Sequence, residues 1–177
     1  MHKVAGAAAN SGLNLNAVKL EAMEAAAAVG TVGVAVAAHT LPGATAPART
    51  IPGGQMELGL GIHGEPGAFT EPVTDVVSIV DMLLTKITDQ KTGYMACLKG
   101  KMEVPKVGLE KVDATEVKTP KQAPAPKVAV MINSLGATPL MELYVVAKAA
   151  REWLKNRGLN PARVFVGPLM TALNMNG

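Results

Sequence analysis

With 177 residues, 49% of them hydrophobic and 18% charged, the chain is long enough to bury a core of its own. Aromatic residues make up only 3%, so that core has to come from Val, Leu, Ile, Met and Ala. The net charge of +3 is too small for a strongly basic nucleic-acid binder, and the single cysteine, Cys97, excludes an internal disulfide and a cysteine-based zinc framework.

Residues 14–29 read as a helix: Asn14 or Asn16 can cap it, Leu20, Met23 and Ala27 share a face, and Gly30 stops it. Thr31 to Ala38 alternates valines and reads as a strand. The apolar run from Ala25 to Ala38 is Ala/Gly-rich and too short to span a bilayer, and Met1-His2-Lys3 is not followed by a signal-peptide core. An intracellular protein without a membrane partner is the simplest expectation. Three prolines and three glycines between Thr40 and Gly54 mark a loop, after which Met56 to Ile62 reads as a short strand delivering His63 at its end. Val73 to Ile87 has the 3–4 spacing of an amphipathic helix, with Pro72 suited to its first turn.

Residues 93–112 alternate weakly, as a hairpin would, and 113–126 are rich in Pro, Ala and Lys, as a linker is. Eight lysines face four acids between 91 and 127, giving that stretch +4. Lysines alternating with acids and lacking aromatic partners describe a solvated surface rather than a nucleic-acid site. Lys127 to Ile132 reads as a buried strand, with Asn133-Ser134-Leu135-Gly136 as the loop at its carboxyl end. Thr138 can cap a helix with Pro139 at its first position and a stripe of Leu140, Leu143, Tyr144, Ala147 and Leu154, ended by Gly158. Trp153 and Tyr144 fall on this pattern as packing residues. Arg163 to Val166 is a last strand. Strands alternating with helices predict an α/β fold, a two-layer mixed β-sheet packed against helices.

The chemistry concentrates in Gly59-Leu-Gly-Ile-His-Gly-Glu-Pro-Gly67. Gly59, Gly61 and Gly64 spell the dinucleotide-binding G-x-G-x-x-G, with Asp81 near the place of a ribose-binding acid. That reading needs the last glycine to open a helix, whereas Glu65-Pro66-Gly67 favours a turn. His63 and Glu65 also form H-x-E, but the cysteine pair of the zinc deaminases is missing. A third reading is nucleophilic: a neutral imidazole can add to a ketone or aldehyde carbonyl, with Glu65 fixing the tautomer. Spacing alone leaves His63 open between this role and that of a turn residue. Asn133 with Gly136, and Thr171 with Asn174, lie at the carboxyl ends of the later strands, where α/β sheets gather ligands and where turn chemistry is equally common.

Met56-Glu-Leu-Gly-Leu-Gly-Ile-His63-Gly-Glu-Pro-Gly67 resembles the signature of the dihydroxyacetone kinases, in the second lobe of their substrate-binding K domain. The likeness extends through His2-Lys-Val-Ala-Gly-Ala-Ala-Ala and from Val32-Gly-Val-Ala to Pro42-Gly43. It resumes at Val128-Ala-Val-Met-Ile-Asn-Ser-Leu-Gly136, Glu142-Leu-Tyr144, Val166-Gly167 and Met170-Thr171. The resemblance implies that His63 holds dihydroxyacetone, or a similar small ketone or aldehyde, as a covalent hemiaminal for ATP-dependent phosphorylation. It implies supporting roles for Gly61, Gly64 and Glu65, and a pocket including Asn133, Gly136 and Thr171. ATP and magnesium are expected on a separate L domain or subunit, with no cofactor or metal on this chain. The family's first lobe is not matched, Ser134 and Asn174 stand where the family has Asn and Asp, and residues 93–126 read as an insertion. The expectation is one lobe, 1–177, that lacks kinase activity in isolation and pairs with an L domain or a second copy. The alternative is a non-enzymatic module that binds a carbonyl ligand or a partner.

Overall fold

A computed structural model describes residues 1–47, 49–89 and 125–177. The expected hairpin at 93–112 and nearly all of the expected linker at 113–126 lie outside the described residues. The chain opens with two helices, α1 (His2–Asn10) and α2 (Leu15–Ala27), and α1 has no counterpart in the sequence reading. Asn14 caps α2 as expected, its Oδ1 accepting from Ala17 N at 3.0 Å. The apolar face expected for α2 is not buried: Leu20 and Met23 are each 58% exposed. Alanine-rich α1 packs against α2 but is too slight to cover the longer side chains.

The strand expected over Thr31–Ala38 shortens to β1 (Val34–Ala35), antiparallel to β2 (Gln55–Leu58). β2 in turn pairs with β3 (Phe69–Pro72), so the loop carrying His63 is the connection of a hairpin. Pro72 therefore ends a strand rather than opening a helix. Helix α3 (Val76–Thr88) starts later than its periodicity suggests, because Asp75 supplies the cap. Its carboxylate accepts from Val77 N at 2.9 Å and Ser78 N at 3.1 Å. Val73 falls before the helix and Val77 is 61% exposed, while Val80, at 3%, is the buried contact of the stripe.

Strands β4 (Lys127–Asn133) and β5 (Asn160–Gly167) pair in parallel through α4 (Leu140–Asn156), the crossover unit that the helix between two strands predicts. Pro139 stands at the cap position itself, and Thr138 does not cap α4. Its hydroxyl lies instead 3.1 Å from Asn176 Oδ1 and 3.0 Å from Gly177 O. Leu143, Ala147, Ala150, Trp153 and Leu154 are buried on α4. Leu140 and Tyr144, placed on the same stripe by the sequence reading, are 51% and 58% exposed because they point to the side of that face. Trp153 packs as expected with Val80, Ala149, Ala150, Leu154 and Leu159, and its Nε1 donates to Asp81 Oδ1 at 2.7 Å. Asp81, the acid nearest a ribose-binding position in the sequence, is thus an α3–α4 fastener.

The two sheets meet along the C-terminal segment. Ala37 bridges Asn176 on one side and Gly136 bridges Met175 on the other, so antiparallel and parallel pairings share one seam. Met175 is fully buried there with Ala35, Leu60 and Ala172. The expected class, α/β with mixed strand pairing, is what the chain forms. No helix among the described residues is long and apolar enough to cross a membrane.

Candidate functional site

His63 sits at the tip of the β2–β3 hairpin loop with its side chain 81% exposed. The loop is closed from within by Gly61 N donating to Glu65 O and Gly64 N donating to Gly61 O, both at 3.3 Å. Glu65 folds back over this turn. Its Oε2 accepts from His63 N at 3.0 Å, and its Oε1 lies 3.4 Å from His63 Nδ1. A side chain at Gly61 would collide with the Glu65 carboxylate, so the glycine is what lets the carboxylate reach the histidine. Gly64 has φ +91°, a conformation that side chains other than hydrogen rarely adopt.

The Glu65 carboxyl is held below its ordinary range, first by its own backbone N–H and then by that of His63. An ionised Glu65 beside Nδ1 favours the tautomer with the proton on Nδ1. In a neutral imidazole with its proton on Nδ1, Nε2 is the nitrogen that carries the lone pair.

Beneath the loop lies a pair that the sequence reading missed. Arg49 forks onto Glu57 at 2.5 and 2.6 Å, and its Nε donates to Gly64 O at 3.0 Å. Glu57 Oε2 also accepts from Gly67 N at 3.1 Å. Gly64 and Gly67, the middle and the end of the glycine-rich turn, are therefore tied to one half-buried ion pair. Bidentate contact with Arg49 holds the Glu57 carboxyl below its ordinary 4.5, against the opposing effect of burial. The signal available in the sequence was Glu57 itself, an acid between two buried apolar residues of a strand, whose charge needs a partner.

The other predicted residues lie around the turn after β5, and their neighbours Leu135 and Ala172 share a core cluster with Ile62, the residue before His63. Asn133 Oδ1 accepts from Leu169 N and Met170 N, each at 2.8 Å, and its Nδ2 donates to Met170 O at 2.7 Å. Its amide thus shapes the turn after β5. Gly136 lies so close to Leu173 O that any side chain would collide with it. Thr171 is exposed on the same turn. Asn174 connects this turn to the His63 side, its Oδ1 accepting from Thr40 N at 2.7 Å. Ser134 is buried, donating to Thr138 O at 2.9 Å and accepting from Gly136 N at 3.1 Å.

Gly64 opens no helix, since the chain passes through the turn into β3. The dinucleotide fingerprint is therefore without the helix N-terminus that would bind a pyrophosphate. Among the described residues there is no group of three or more His, Cys, Asp or Glu that could hold a metal ion. A groove of about 730 Å³ between α4 and β5, lined by residues including Tyr144, Lys148, Arg151 and Phe165, contains no residue of the His63 loop.

The chain joins a hairpin tip presenting one imidazole to a parallel β–α–β unit through its C-terminal seam. It matches the Dak1 domain family over residues 1–177, and the chain belongs to that family. It is 41% identical over 178 residues to a Solanum lycopersicum protein named for 3,4-dihydroxy-2-butanone kinase, covering 100% of this chain and 26% of that protein. It is 33% identical over 177 residues to the dihydroxyacetone-binding subunit DhaK of a PTS-dependent dihydroxyacetone kinase of Listeria innocua, covering 100% of this chain and 45% of the subunit. Among solved structures it superposes on the dihydroxyacetone kinase from C. freundii in complex with AMP-PNP and Mg²⁺. The TM-score is 0.66 at 28% identity, over 99% of this chain and 27% of that one. The chain thus spans about a quarter to somewhat under half the length of these relatives.

Proposed function

We propose that this chain is the covalent substrate-binding lobe of a dihydroxyacetone kinase-type protein, with His63 as the nucleophile. The observation that carries the reading is the His63–Glu65 pair on an exposed turn whose glycines leave the imidazole unobstructed. The lone pair of Nε2 attacks the carbonyl carbon of a small hydroxyketone. A C–N bond forms, the C=O π electrons move to oxygen, and that oxygen takes a proton from water. The Nδ1 proton leaves toward Glu65 or solvent, so the adduct is a neutral hemiaminal. A polyol, having no carbonyl, cannot form this bond. Family membership and the names of the relatives support a dihydroxyacetone-like ketone as the ligand.

The adduct positions a terminal hydroxyl for phosphoryl transfer, which depends mainly on alignment. The kinase solved with AMP-PNP and Mg²⁺ is matched over only 27% of its own length, which supports placing the phosphoryl donor on a separate domain or subunit. His63, 81% exposed, accordingly forms one wall of a site that a further lobe would enclose.

Dihydroxyacetone labelled with ¹³C at the carbonyl tests the reading by NMR. The purified chain should convert ketone signal into a tetrahedral-carbon signal, and His63→Ala should not. The same new signal from the alanine variant would refute the anchor. The isolated chain should give no ATP-dependent phosphorylation of the ketone.

A further inference from the structure

His39 lies outside the glycine-rich motif, yet its ring meets it. A Cβ placed on Gly64 would come within 2.7 Å of His39 Cε1 and 3.5 Å of each ring nitrogen. On its carbonyl side Gly64 is held by Arg49 Nε at 3.0 Å. The residue immediately after His63 is therefore gripped between a guanidinium and an imidazole. His39 itself has little freedom to yield. Val36 N donates to Asn176 O at 2.9 Å, Asn176 N donates to Ala37 O at 3.3 Å, and Thr40 N donates to Asn174 Oδ1 at 2.7 Å. The backbone on both sides of His39 is thus fastened to the C-terminal seam.

Nδ1 of His39 is buried and has no hydrogen-bond partner. No hydrogen bond at that nitrogen orients the ring; its contact with Gly64 is one of shape. A buried polar atom left unpaired is uncommon, and an aliphatic side chain would fill space without that cost. What an aliphatic chain would not supply is a flat, rigid edge against a glycine at φ +91°.

We infer that His39 is a positioning residue for His63: its ring edge, pressed on Gly64, holds the turn in the conformation that presents the His63 imidazole. This inference rests on the reading of His63 as nucleophile. It adds a mechanical connection from the C-terminal seam, through residues 36–40, to the reacting nitrogen. The Arg49–Glu57 pair keeps the hairpin folded from below, while His39 sets the last turn from the side.

Two variants test it. His39→Ala removes the ring, and His39→Asn keeps a flat polar group that stops short of Gly64, so one serves if the other folds poorly. Asp75→Ala, which weakens the distant α3 cap, is the control for a general loss of stability. In ligand-free protein labelled with ¹⁵N at histidine and glycine, either His39 variant should shift the His63 ring and Gly64 amide signals, and Asp75→Ala should not. Added imidazole should move the His39→Ala signals back toward those of the parent by refilling the space. With labelled dihydroxyacetone, the His39 variants should form the tetrahedral adduct roughly tenfold to a hundredfold more slowly, with Asp75→Ala near the parent rate. Unchanged His63 and Gly64 signals in a folded His39 variant would overturn the inference, as would adduct formation at the parent rate. If the parent forms no adduct, it is the nucleophile reading that fails, and the ligand-free spectra still decide whether His39 sets the turn.

Discussion

At the scale of single residues, the His63 turn depends on what is missing as much as on what is present. Gly61 has no side chain, and the space a Cβ would take is used by the Glu65 carboxylate to reach His63 N at 3.0 Å. Gly61→Ala should therefore leave the fold intact, because the displaced carboxylate is exposed, while slowing capture of a ketone about tenfold through loss of nucleophile orientation. Gly53→Ala is the matched control, since a Cβ there meets nothing within 4 Å. The ¹³C adduct experiment reads both. Equal rates for the two variants would show that Glu65 does not orient the imidazole.

At the scale of elements, short electrostatic devices fix where each begins and how it is held. Asp75 gives α3 its start by accepting from two backbone N–H groups and from Ser78 Oγ at 2.7 Å. Asp75→Ala should cost about 1 kcal/mol in a denaturant titration, the usual loss for a side-chain cap. In the β2–β3 hairpin, Glu57 is the buried anchor. Its folded-state pKa is depressed by Arg49, so its contribution is complete above the unfolded value near 4.5 and is lost as pH falls through the lower folded value. The hairpin should loosen on acidification below about 4.5, seen as movement of the Gly67 amide signal. In Glu57→Gln this part of the acid dependence should disappear, although Glu65 and Asp75, both also depressed, leave a residual dependence of the same sign.

At the scale of the whole molecule, the seam at residues 174–177 makes one fold of two small sheets. Met175 is fully buried in it, Ala137 N donates to Met175 O at 2.9 Å, and Leu135 N donates to Gly177 O at 2.8 Å. Gly136 permits this closeness, and a methyl there would push against Leu173 O, whose own residue already holds φ 54°. Gly136→Ala should destabilise the protein by several kcal/mol, as expected where backbone cannot yield. Because Asn174 and Asn176 also hold residues 36–40, the damage should reach His63, more than the sequence distance suggests. Thermal unfolding together with the His63 ring signals would show both effects. A stable Gly136→Ala protein with unchanged ring signals would contradict the coupling.

Local chemistry was legible in the sequence wherever one short segment determined the outcome. Asn14 capping α2, the β–α–β unit from Lys127 to Gly167, the buried Trp153 and the glycine-flanked His63 all follow from periodicity, capping and turn rules. Boundaries were misread where two signals competed. Pro72 suits a first helical turn, yet pairing with Gln55 keeps it in a strand and Asp75 takes the cap. Thr138 has the residue type of a cap, but the C-terminal segment claims its hydroxyl. The exposure of Leu20 and Met23 was hidden because periodicity defines a face without naming what covers it. The sequence by itself determined the α/β class and set His63 among glycines in a turn, since both depend on neighbours along the chain. Only the tertiary structure revealed Arg49 and Glu57 under the loop, His39 beside Gly64, and the seam that ties them to Asn174 and Asn176. Those are contacts between separate segments, from 8 residues apart for Arg49 and Glu57 to 134 for Thr40 and Asn174, and their partners are chosen by packing rather than by any local pattern.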